Sequence, residues 1–217
     1  MTTTFFLAMF LATFILLTIT RLEVSRLIRQ YHQQKVDFFR LHPIQPGDIV
    51  MLGDSLTDGA RWDEIFPGVP VKNRGINADT VAGVLARLDE IIAGKPAKIF
   101  LLIGTNDLSW YDYRGDHVIL ETYRQILARF KAELPGTDVY VQSLLPRGAA
   151  YAGHIRNINT ALKVLSYEMN YAFVNLHPFF TDGKGALRKE LTNDHLHLLG
   201  EGYRIWAEEI RKIVMGG

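Results

Sequence analysis

The chain has 217 residues, 48% of them apolar and 22% charged, with a formal net charge of +1 and no cysteine. That length supports one substantial core and is too short for two large ones. The absence of cysteine excludes zinc ribbons, thiol catalysis and disulfide scaffolds, and the near-neutral balance argues against a nucleic-acid partner, which needs clustered Lys and Arg.

From Met1 to Thr20 there is no ionisable side chain, and the run from Phe5 to Ile19 is broken only by Thr13 and Thr18. At about 1.5 Å rise per residue, twenty helical residues just span a hydrocarbon core of about 30 Å. The expectation is a single-pass membrane anchor over residues 1–20. A cleaved signal peptide needs basic residues ahead of the apolar run and a small-x-small site behind it, and neither precedes Arg21.

Residues 21–42 carry Arg21, Arg26, Arg29, Lys35 and Arg40 against Glu23 and Asp37, a local excess of +3. Placed behind the apolar run, these charges favour the cytoplasmic face for the main domain. With neither Pro nor Gly between Leu22 and Leu41, residues 21–45 read as a basic helical neck. Its arginines suit anionic lipid, with a solvated helix carrying ordinary charges as the alternative. The remaining residues, 46–217, form the expected catalytic domain.

Within that domain short apolar stretches at residues 48–53, 69–73, 98–103, 138–144 and 172–175 read as buried strands. Helix-period stripes lie between and after them: Val81, Val84, Leu85, Leu88, Ile91 and Ile92; then Ile155, Ile158, Leu162, Leu165 and Met169; then Leu199, Tyr203, Trp206, Ile210 and Ile213. Asp79 or Thr80 suits the N-cap of the first stripe. Five strands alternating with helices predict an α/β fold, a five-stranded parallel sheet sandwiched by helices. Such sheets bind ligands beyond the carboxyl ends of their strands. Ser55, Gly75, Asn106 and the loop from Pro146 all fall there.

Gly53-Asp54-Ser55-Leu56 ends the first strand, and Asp194-His195-Leu196-His197 precedes the last helix. A serine hydroxyl becomes a useful nucleophile when an imidazole takes its proton, and a carboxylate fixes that imidazole's tautomer. Ser55, His197 and Asp194 supply the set. Acyl transfer also needs hydrogen-bond donors for the oxyanion. The backbone N–H groups of Ser55 and Gly75 and the side-chain amide of Asn106 are candidates, with Gly75 suited to a sharp turn or a close backbone approach.

The ordered blocks Gly53-Asp54-Ser55-Leu56, Gly75, Gly104-x-Asn106-Asp107 and Asp194-x-x-His197 resemble the four signature blocks of the SGNH (GDSL) hydrolases. The resemblance covers roughly residues 46–214. It implies Ser55 as nucleophile, His197 as base, Asp194 as its orienter, and Ser55, Gly75 and Asn106 as the oxyanion hole. It further implies a flavodoxin-like three-layer sandwich, with no metal and no cofactor. Within the family, Val71–Gly75 and Lys95–Gly104 look most like bacterial proteins related to platelet-activating-factor acetylhydrolase and sialate O-acetylesterase. The Gly-x-Ser-x-Gly elbow of α/β-hydrolases is missing, since position 57 is Thr.

His195 competes with His197 as base, and the family spacing selects His197. His117, His154 and His177 are expected at the surface or in packing. Asp54 and Asp107 read as groups that hold loops, with metal ligation in a phosphoesterase as the alternative. Trp110, Tyr111 and Tyr113 either line an acyl or sugar pocket or anchor their own loop, and the same choice holds for Phe179 and Phe180.

The expected function is a membrane-anchored serine esterase acting on short acyl or acetyl esters of a glycan or lipid. Lysophospholipase, thioesterase or acyltransferase action with the same triad is the nearest alternative. A non-catalytic tethered binding module is the alternative of another class. No sequence feature sets an oligomeric state.

Overall fold

A computed structural model describes residues 2–108, 113 and 115–216, without the side chains of residues 2–5 and 8. The chain opens with helix α1, Thr2–Leu41, followed by β1, Ile49–Gly53. The short helices α2, Ser55–Asp58, and α3, Trp62–Ile65, lead to β2, Val71–Gly75. Helices α4, Val81–Ala86, and α5, Leu88–Gly94, precede β3, Lys98–Leu102. Helix α6, Asp116–Glu133, leads to β4, Asp138–Gln142, and α7, Ala152–Glu168, to β5, Ala172–Val174. The short α8, His177–Phe180, and the terminal α9, Gly200–Met215, complete the fold.

All five strands pair in parallel in the order β2-β1-β3-β4-β5. This is the flavodoxin-like arrangement, in which strand order reverses at β1 and β3 and leaves a crevice at their carboxyl ends. Alternation along the strands sends side chains to two apolar layers. Val50, Leu52, Ile99 and Leu101 face α4 to α7, while Ile49, Met51, Phe100 and Leu102 face α2, α3, α8 and α9. The expected three-layer sandwich is therefore present.

Two elements differ most from their sequence reading, while the other strands begin and end within two residues of the expected bounds. The second strand runs over Val71–Gly75 rather than 69–73, because Val69 turns back through its N–H to the Phe66 carbonyl. The polar Arg74 is tolerated in that strand since Glu90 and the His42 carbonyl satisfy its guanidinium. The stripe from Val81 to Ile92 is two helices, broken at Arg87, whose ψ of 18° departs from helical geometry.

Helix α1 shows no interruption at the expected boundary between residues 20 and 21. Among the described residues, no helix is long and apolar enough to cross a membrane. The apolar side chains of its first half are nonetheless exposed, among them Phe6, Phe10, Phe14, Leu16 and Leu17. Its second half is docked on the sandwich. Phe39 is buried beneath the Arg74 guanidinium, 4.4 Å from it, and the expected lipid-facing character of the neck does not extend to Lys35, which pairs with Asp58.

Candidate active site

Ser55 opens α2 directly after β1, at the reversal of strand order. The Asp54 side chain caps this single turn by accepting the Leu56 N–H at 3.0 Å. As the first helical residue, Ser55 has a backbone N–H that the helix itself cannot satisfy, which aims it outward from the turn. Ser55 is 8% exposed, at the floor of the site.

The opposite wall comes from the segment before α9. Trp206 is fully buried, donates to Gln142 Oε1 at 2.7 Å and stands edge-on to Trp62 with ring centroids 5.2 Å apart. Tyr203 Oη donates to the Leu56 carbonyl at 3.1 Å, tying α9 to the turn that carries Ser55. This packing brings His197 Nε2 to 3.0 Å from Ser55 Oγ, across 142 residues of sequence.

His197 Nδ1 lies 2.6 Å from Asp194 Oδ2. With Nδ1 protonated toward the carboxylate, Nε2 keeps the lone pair that accepts the Ser55 proton. Asp194 Oδ1 accepts the backbone N–H groups of Leu196 and His197 at 2.9 and 2.8 Å. Desolvation raises the Asp194 carboxyl, but hydrogen bonds from the His197 ring and from these N–H groups outweigh it and hold the group near 2. The carboxylate stays charged wherever the imidazole has to be oriented.

The competing His195 has a left-handed backbone, φ 64°, and an exposed side chain. The structure brings His197, not His195, to Ser55.

The candidate oxyanion donors converge from three strands. Gly75 ends β2 opposite Gly53, and a β-carbon there would collide with the Asp58 backbone. Its N–H donates to Asn73 Oδ1 at 2.9 Å, so in this state that donor is engaged by its neighbour. Asn106 begins a 3₁₀ turn after Gly104, whose φ of 122° is open to glycine and strained for other residues. One N–H of the Asn106 amide donates to the Asp79 carbonyl at 2.8 Å, which fixes its plane; an amide carries a second.

Asp54 and Asp107 hold loops: Asp107 Oδ2 accepts the Val81 N–H at 3.0 Å. Among the described residues, no group of three or more His, Asp or Glu side chains is arranged to hold a metal ion. Burial pushes the Asp54 carboxyl up to about 7, opposed by the Leu56 N–H and reinforced by Asp79 and Asp107.

Of the candidate substrate-binding aromatics, Trp110 and Tyr111 lie outside the described residues. Tyr113 is exposed and donates to Asp116 Oδ1 at 2.8 Å, with His154 Nδ1 3.2 Å from its hydroxyl. Phe180 belongs to the apolar core against α9, whereas Phe179 is 41% exposed. A cleft of about 790 Å³ lies between α1 and α4, with His32, Asp37 and Arg87 on its walls and neither Ser55 nor His197 among them. The chemistry is located by the Ser55–His197 contact and not by the size of that cleft.

Arg87 escaped the sequence reading. Its Nε donates to Asp79 Oδ2 at 2.8 Å, and its Nη2 donates to the carbonyls of Arg74 and Gly53 at 2.9 and 3.2 Å. One buried guanidinium thus joins the ends of β1 and β2 to the residue that orients Asn106. The signal was present: at i+3 from Val84 and i−4 from Ile91, Arg87 sits on the apolar face of its stripe, where a charge needs buried partners.

A flavodoxin-like sandwich with a Ser-His-Asp arrangement at its crevice defines a serine-hydrolase class of protein. Residues 51–205 match the GDSL-like Lipase/Acylhydrolase family. The chain belongs to that family and is an ester hydrolase. It is 28% identical over 181 residues to human platelet-activating factor acetylhydrolase IB subunit alpha2, covering 77% of this chain and 76% of the relative. The bovine alpha1 subunit is 26% identical over 166 residues, covering 72% and 70%. A Streptococcus pneumonia structure described as a candidate platelet activating factor superposes with a TM-score of 0.81 at 25% identity, over 91% of this chain and 99% of that one. A GDSL-like lipase structure from Bacteroides thetaiotaomicron superposes with a TM-score of 0.74 at 22% identity, over 87% and 97%.

Proposed function

We propose that the protein is a serine esterase for short acyl esters, acetyl esters first, carried on a lipid or glycan. The carrying observation is the 3.0 Å contact of Ser55 Oγ with His197 Nε2, backed by the 2.6 Å contact of His197 Nδ1 with Asp194. In this reading Ser55 Oγ bonds to the carbonyl carbon as its proton passes to Nε2. Negative charge gathers on the former carbonyl oxygen, toward the Ser55 N–H and the Asn106 amide; Gly75 joins them if its N–H leaves Asn73. The ester C–O bond then breaks, and the departing alkoxide takes the proton from Nε2. Water, deprotonated by the same nitrogen, attacks the acyl-serine, releases the acid and restores the hydroxyl.

The acetyl preference is drawn from the name of the acetylhydrolase relatives, and the lipid from helix α1. Residues 1–20 carry no ionisable side chain, and consecutive exposed residues Phe14, Ile15, Leu16 and Leu17 present apolar surface on every side of the helix. A helix apolar all round belongs in an apolar environment. We therefore assign the N-terminal half of α1 to membrane attachment, and the basic residues that follow it favour the cytoplasmic side for the catalytic domain.

The test is hydrolysis of p-nitrophenyl acetate and butyrate by the full-length protein and by Ser55→Ala. Loss of roughly a millionfold in kcat is the scale set by comparable nucleophile removals. Undiminished turnover overturns the assignment. Flotation with phosphatidylcholine vesicles tests the attachment, which fails if full-length protein stays in the dense fraction.

A further inference from the structure

We infer that Tyr31 and Lys35 of helix α1 are positioning residues for the active site, acting through Asp58 on the turn that carries Ser55. The inference rests on the reading of Ser55 as nucleophile.

Helix α2 is four residues long, too short to hold itself in place by its own hydrogen bonds. Its last residue, Asp58, has a side chain only 11% exposed, and both carboxylate oxygens are taken by α1. Tyr31 Oη donates to Oδ2 at 2.6 Å, and Lys35 Nζ donates to Oδ1 at 2.5 Å. Tyr31 and Lys35 are four residues apart, one above the other on the same helical face, so the two donors form a clamp. Burial, followed by the hydrogen bond to Asp58 and that carboxylate's charge, pushes the Tyr31 hydroxyl up to about 12, and it remains a donor through the neutral range.

The backbone of Asp58 carries this constraint into the site. Its carbonyl accepts Asn73 Nδ2 at 3.1 Å, and the other end of that amide accepts the Gly75 N–H. One carboxylate therefore fixes the nucleophile turn and, through Asn73, the approach of β2 beside it. On the same helix, His32 Nε2 lies 3.9 Å from Asp79 Oδ1, next to the carbonyl that orients Asn106. The lower half of α1 acts as a brace for the catalytic centre as well as a connection to the apolar half.

Full-length Tyr31→Phe, Lys35→Met, Lys35→Arg and the Tyr31→Phe/Lys35→Met double variant test this. The measurements are kcat and KM on p-nitrophenyl acetate, normalised to sites labelled by a fluorophosphonate, with thermal unfolding in parallel. Displacement of reacting groups by about 1 Å costs on the order of a hundredfold, so the double variant should lose about ten- to a hundredfold in kcat per labelled site. KM should stay within about twofold, and Lys35→Arg should recover most of the loss. A folded double variant with wild-type kcat per labelled site overturns the inference. If the double variant does not fold, Tyr31→Phe and Lys35→Met decide the matter: unchanged kcat in both overturns it, and reduced kcat restored by Lys35→Arg supports it. Failure of the underlying reading is distinguishable, since wild-type protein would then resist the probe and Ser55→Ala would remain active.

Discussion

Gly75 and Asp58 meet backbone to backbone: the space a β-carbon would occupy on Gly75 is filled by the Asp58 N–H and its flanking main chain. The end of β2 can lie against the turn that carries Ser55 because residue 75 has no side chain. A flexible side chain could move aside; a backbone held by its neighbours cannot. Gly75→Ala should therefore push the Ser55 turn away from β2, destabilising the fold by about 1–3 kcal/mol as overpacking does. Esterase turnover should fall about a hundredfold. Urea unfolding and p-nitrophenyl acetate kinetics check the pair of effects, and wild-type kcat in Gly75→Ala would refute the close-approach argument.

Arg87 links three segments that must keep register for the candidate oxyanion donors to converge. Asp79 has a side chain only 3% exposed, and removing its cation leaves a buried charge without its partner. Breaking such a pair costs about 3–5 kcal/mol. Arg87→Met should show a loss of that size in chemical denaturation. Arg87→Lys restores charge, but a single ammonium cannot reproduce the planar fork that reaches Asp79, Gly53 and Arg74 together. Its stability should recover more than its kcat, and equal recovery of both would count against a positioning role.

The contrast between Ser55 and Arg87 shows what sequence could and could not convey. The parallel sheet was legible because Ile49–Leu52 and Ile99–Leu102 are buried on both faces and so read as unbroken apolar runs. The candidate triad was legible because its residue types stand in an ordered set of motifs. The break at Arg87 was not, since helix period continues through it; a charge on the apolar face calls for buried partners, but its carbonyl acceptors lie on two strands distant in sequence. The docking of α1 was hidden for the same reason. Lys35 reads as one more basic residue of a solvated neck until Asp58, 23 residues later, is brought against it.

His195 and His197 separate cleanly in a mutational test. His195 is exposed and lies in left-handed backbone, so His195→Gly should leave kcat within about twofold and relieve local strain of about 1 kcal/mol. His197→Ala removes the ring nitrogen beside Ser55 Oγ and should cost about a millionfold in kcat. Asp194→Asn should cost about ten-thousandfold, through loss of the correct imidazole tautomer. Active-site labelling with a fluorophosphonate, run with the same variants, should follow the same order. Greater damage from His195→Gly than from His197→Ala would reverse the assignment.

Asp54 gives the domain a pH-dependent stability of unusual sign. Its carboxyl titrates near 7 in the folded chain, against 3.8 for the free group, chiefly because burial disfavours the charged form. A carboxylate raised on folding binds its proton more tightly in the native state, so stability is greatest below the unfolded value and falls as pH rises through the folded one. Among the described residues no hydrogen-bond partner reaches the buried Oδ2 atom, which a neutral carboxyl tolerates better than an anion. Asp54→Asn keeps an acceptor for the Leu56 N–H and cannot ionise. Relative to wild type its stability should therefore rise between about pH 4 and pH 7, with a slope of at most about 1.4 kcal/mol per pH unit, and level off above. Urea denaturation of both proteins across that range gives the slope. A difference that stays flat, or shrinks with pH, would mean that Asp54 is already ionised in the folded protein at pH 5.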